Sequence, residues 1–98
     1  MSNRLGPSVQ ALAPSTHQSV SYTGTAGTIS SAVSDRTEVV RVVCTTDAHV
    51  SLVTATTATS SSMYVPAGVP EYLIIAGGEK VSAIQANSAG SLHVTEVI

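Results

Sequence analysis

From Ser19 to its end, the chain alternates short β-prone runs with turn chemistry, and this spacing limits the possible folds more than any other feature. The runs are SVSYT (19–23), TISSAV (28–33), EVVRVVCT (38–45), HVSLVTA (49–55), EYLIIA (71–76), EKVSAIQA (79–86) and SLHVTEVI (91–98). GTAG, SDRT, TTDA, GG and NSAG separate most of them. Turn signals every ten or so residues leave no window for a helix of useful length, the pattern of an all-β sandwich or barrel. The prediction is an antiparallel, jelly-roll-like β-sandwich of about eight short strands.

Within the strongest run, Val40, Val42 and Cys44 share one face while Val39, Arg41 and Val43 share the other. Both faces are largely apolar, so this strand is predicted to be central or to have its second face covered by another subunit. Tyr72, Leu73, Ile74 and Ile75 likewise leave no solvent side. The corner before them, VPAGVP (65–70), is stiff: Pro66 sets its own φ in a turn closing near Gly68, and Pro70 holds Val69 extended. Gly77–Gly78 reads as a two-residue hairpin turn, and HVSLVTA reads as returning antiparallel to the strand before it, with Val50 and Leu52 inward.

A chain of 98 residues has room for one core. Residues 1–18 contain two prolines and no sustained period, so they read as an extended N-terminal arm, with residues 19–98 as the single sandwich domain. Arg4, Leu5, Val9, Leu12 and Pro14 are the arm positions expected to lie along a neighbouring protein. The core must be built mainly from Val and Ala, because three Tyr are the only aromatic residues. Ser and Thr supply 27 positions (15 and 12), whereas only 10% of residues are charged. Such a surface resembles an interface more than a solvated exterior, and a core of small side chains is thin for a monomer.

Several function classes are disfavoured. Net charge is −2 and Arg4, Arg36, Arg41 and Lys80 are scattered, so no basic stripe is available for nucleic-acid phosphates. The apolar runs are too short to span a bilayer, and the N-terminus lacks the pattern of a signal peptide; neither membrane nor secretion pathway is expected. Cys44, the single cysteine, reads as a small buried residue. Asp35, Glu38, Asp47, Glu71, Glu79 and Glu96 stand singly near strand ends or turns, where carboxylates serve turns and solubility. His17, His49 and His93 show no metal-ligand spacing, and no nucleophile elbow or phosphate loop occurs. No catalytic residue, metal or cofactor is expected, and an enzyme is the last-ranked reading.

The site residues expected are therefore those of a subunit interface: Val39, Arg41, Val43, Tyr64, Tyr72 and Ile74. A glycan-binding module is the alternative from another class, with a shallow polar site near Tyr64 and the TTATSSS loop (56–62).

The succession VRVVCTTDAHVSL, a polar stretch, MYVPAGVPEYL, GGEK and the terminal GSLHVTEV resembles small virion structural proteins of tailed bacteriophages. The likeness covers residues 37–97 and consists of structural punctuation without catalytic residues. It is greatest to head decoration, or cement, proteins. It implies a homo-oligomer, commonly a trimer, made in the host cytoplasm and seated on the capsid surface, where it bridges major capsid protein subunits. A neck or tail protein of the same particle is the alternative within that resemblance.

Overall fold

The computed structural model describes residues 14–53 and 57–97. They form eight strands: β1 (Pro14–Tyr22), β2 (Gly27–Thr28), β3 (Val39–Cys44), β4 (Ala48–Val53), β5 (Met63–Val65), β6 (Glu71–Ile74), β7 (Lys80–Gln85) and β8 (Gly90–Val97). The first sheet has the order β1-β8-β3-β6 and the second β2-β7-β4-β5, with every pairing antiparallel. No helix occurs among the described residues.

The order has a simple origin. β1 pairs with β8, β2 with β7, β3 with β6 and β4 with β5, so the chain is one long hairpin ribbon whose two halves run side by side. Rolling that ribbon up adds the β3–β8 and β4–β7 ladders and creates two packed sheets. This is the jelly roll the strand spacing predicted.

The roll changes the role of most turns. Only β4–β5 joins consecutive strands of one sheet; all other connections carry the chain across the sandwich. Thus β4 does not return against β3, and Gly77–Gly78 is not a hairpin. Residues 76–79 form a turn closed by the Glu79 N–H donating to the Ala76 carbonyl (3.1 Å), with Gly78 at φ 89°. A positive φ at the third position alone is the type II signature, and it aims the chain from β6 toward the other sheet. The Pro66–Val69 corner is built likewise, with Gly68 at φ 73° and the Val69 N–H on the Pro66 carbonyl (3.3 Å).

Two boundaries differ from expectation. Pro14–Gln18, expected within the arm, begin β1 and pair with β8, Pro14 facing Val97. Proline is tolerated there because it opens an edge strand, where its missing N–H interrupts no interior ladder. Arg4, Leu5, Val9 and Leu12 lie outside the described residues. Of the predicted run 28–33 only Thr28 is in a strand, β2 starting one residue earlier at Gly27. Beyond it Ile29 and Val33 both turn into the core, pinned by N–H bonds to the Val81 (3.0 Å) and Glu79 (2.8 Å) carbonyls. Filling the core at two points won over continuing a ladder.

Between the sheets lie Val40, Val42, Cys44, Val50, Val65, Val81, Ala83, Leu92 and Val94, all nearly inaccessible. β3 alternates as its sequence predicts: Val40, Val42 and Cys44 buried, Val39, Arg41 and Val43 half-buried. A core of β-branched residues suits a pleated surface, where stiff side chains lose little rotamer freedom.

Candidate interaction surface

The outer faces of the two sheets differ. Over the second sheet, residues 57–62 fold back: Ala58 is buried and its N–H donates to Ser82 Oγ at 2.9 Å. Ser82, in the middle of β7, is itself fully buried, bonded also to Thr28 Oγ1 (3.1 Å). His49 Nδ1 meets the Ser62 carbonyl oxygen at 3.0 Å and holds the other end of this segment. The described part of the hydroxyl-rich TTATSSS stretch is thus a cover for its own sheet.

The first sheet has no such cover among the described residues. The ladder register places Val39 opposite Ile74 and Arg41 opposite Tyr72, so these four side chains share the outer face. Val43 continues the row on β3, beside His93 of β8. Ile74 is 84% exposed and Tyr72 55%, on a strand whose other side chains, Glu71 and Leu73, are half-buried. An isoleucine this open at the edge of a sheet exposes apolar area that water penalises by ~25 cal/mol per Å². The sequence expected the second faces of β3 and β6 to be covered; in the single chain they are open.

Five of the six expected interface residues therefore converge: Val39, Arg41, Val43, Tyr72 and Ile74. Tyr64 does not join them. It lies on β5, at the edge of the second sheet, half exposed and edge-on to His49 with ring centroids 5.6 Å apart.

The electrostatics of the open face are one-sided. His17 and His93 stack across β1 and β8 (5.6 Å between centroids, 21° between planes), and His17 Nδ1 shares a hydrogen bond with Thr95 Oγ1 at 3.0 Å. Arg41 lies one strand over, opposite Thr95. No carboxylate faces outward from this sheet among the described residues. Glu96 points the other way, buried, and accepts from the Ser34 N–H at 3.1 Å and from the Thr37 hydroxyl. Period two along β8 puts Glu96 on the same face as Leu92 and Val94; that face is the core, and the carboxylate organises the 34–37 turn from within.

Elsewhere the groups that carry chemistry are occupied structurally. Cys44 is fully buried, and burial pushes its thiol up, partly offset by an interaction with Tyr22. A thiol kept protonated in this way is a poor nucleophile. Among the described residues, no three His, Cys, Asp or Glu side chains gather in a metal-binding arrangement.

A notch of about 230 Å³ opens at one end of the sandwich, lined by Thr45, Thr46, Asp47, Ala67, Asn87 and Ser88. Asp47 Oδ1 accepts from the Ala67 N–H at 2.8 Å, which together with the nearby Tyr64 hydroxyl holds the carboxyl below its ordinary range. The carboxylate in turn pushes the Tyr64 phenol up. Spacing along the chain gives no sign of this gathering, because its three segments are brought together only by the roll.

Compared with models of protein families, with curated proteins and with solved structures, the chain has no significant match.

Proposed function

We propose that the protein is a non-enzymatic structural component of a bacteriophage particle, assembled through the outer face of its first sheet. In this reading it decorates the capsid shell as a homo-oligomer, a trimer by the resemblance of residues 37–97, and bridges neighbouring major capsid subunits. The observation that carries it is the contrast between the sheets: one closed by its own chain, the other leaving Ile74, Tyr72, Val39 and Val43 in a row. The jelly roll supports an assembly role without deciding it, since one fold hosts many functions.

The physics of such a role is additive. A specific interface hides about 800 Å² per partner, and tethering each copy at more than one point raises the effective concentration at every joint. Weak contacts repeated over a shell then resist rupture together. A neck or tail position uses the same face and differs in copy number, a ring rather than hundreds.

Two measurements test the reading. Native mass spectrometry at micromolar concentration should give an oligomer, and Ile74→Glu should convert it to a monomer that still folds but unfolds at a lower temperature, because the interface no longer adds its stability. The purified protein should also bind shells that lack it, and Ile74→Glu should not. A wild-type protein that is monomeric and ignores such shells overturns the proposal.

A further inference from the structure

We propose that the notch at the end of the sandwich is a saccharide-binding site for one uncharged pyranose ring. Three corners build it: Thr45–Asp47 between β3 and β4, Ala67 between β5 and β6, and Asn87–Ser88 between β7 and β8. Its 230 Å³ falls below the roughly 300–1,000 Å³ of sites for drug-sized ligands, which suits a single ring.

The floor is preorganised. Thr45 Oγ1 accepts from the Ser91 N–H (2.8 Å), Thr46 Oγ1 donates to the Ser88 carbonyl (2.9 Å) and Asp47 Oδ1 accepts from the Ala67 N–H (2.8 Å). Each bond ties one corner to another element, so the lining is set before any ligand arrives.

The remaining polar capacity has the right chemistry. Among the described residues, neither the Asn87 amide nor the Ser88 hydroxyl has a side-chain partner, and an ionised carboxylate has about four acceptor sites, of which the Ala67 N–H takes one and the nearby Tyr64 hydroxyl engages another. Outside the lining itself, toward the Asp47 side, stands the exposed Tyr64, its ring edge-on to His49. A pyranose presents hydroxyls at its edge and C–H groups on its face. The carboxylate accepts from the hydroxyls, the amide both donates and accepts, and the aromatic ring covers the C–H face. The lining has one carboxylate and no cation, so sialylated or sulfated sugars are repelled. A calcium ion is a poor occupant, since it takes about six to eight oxygens and usually several carboxylates.

The site does not use the outer face of the first sheet, so its failure and that of the assembly reading are separable. The test titrates isotope-labelled full-length protein with methyl glycosides of glucose, galactose, mannose and N-acetylglucosamine, and with sialyllactose, to about 10 mM while recording amide shifts. At least one neutral sugar should move only the amides of residues 45–47, 64, 67, 87 and 88. Asn87→Ala and Tyr64→Ala, both at exposed positions, should each weaken that binding about tenfold or more without changing the unfolding midpoint. Absence of shifts with every neutral sugar, shifts elsewhere, or unchanged affinity in both variants overturns the proposal. Equal or tighter binding of sialyllactose overturns its preference for uncharged rings.

Discussion

Tyr22 is the one aromatic ring in the core, and its hydroxyl explains how a large polar side chain is tolerated there. The oxygen lies 2.9 Å from the Thr46 carbonyl oxygen and 2.7 Å from Thr46 Oγ1, and accepts from the Thr46 N–H at 3.2 Å. One residue of the β3–β4 corner is thereby tied to the end of β1. Tyr22→Phe keeps the ring but orphans those partners, which costs about 1–3 kcal/mol. Urea unfolding should show a lower midpoint with an unchanged slope. Tyr22 is not distinguishable in sequence from the exposed Tyr64 and Tyr72, because what keeps it inside is a partner far along the chain.

At the scale of elements, strands and corners have different determinants. β3 is legible because alternation along a strand is local and sorts its side chains into two faces. Corners carry a local signal too, since proline and glycine announce a bend. The destination of the bend is not local: GG and TTDA suit a hairpin equally well, and packing sends both across the sandwich. Gly78 tests the corner itself. Its φ of 89° with no atom within 4 Å of an added Cβ means that Gly78→Ala meets only backbone strain. The expected loss is about 1–2 kcal/mol in thermal unfolding, with the oligomeric state unchanged.

For the whole molecule, the rolled ribbon makes the first and last strands neighbours, Pro14 beside Val97. Almost every ladder joins residues distant in sequence, so loop-closure entropy must be lost before pairing compensates for it. Folding is therefore expected on the millisecond-to-second scale of all-β domains rather than in microseconds. Stopped-flow refolding by tyrosine fluorescence measures it; a microsecond phase carrying the full amplitude would contradict the nested topology. The same roll gathers the end notch from three corners and leaves one sheet face open.

Residue order alone settled that the chain is all-β, how the side chains of β3 divide between its two faces, and where it bends. Five interface candidates share a face because period-two geometry, written in local patterning, meets the β3–β6 register, which only the fold supplies. Tertiary structure alone decided which strands cross between sheets, which outer face is closed by residues 57–62, that Tyr64 stands apart from the other five, and that Thr45, Ala67 and Asn87 meet. Those outcomes depend on contacts between distant segments, whose free energy belongs to the packed whole and leaves no periodic trace along the chain.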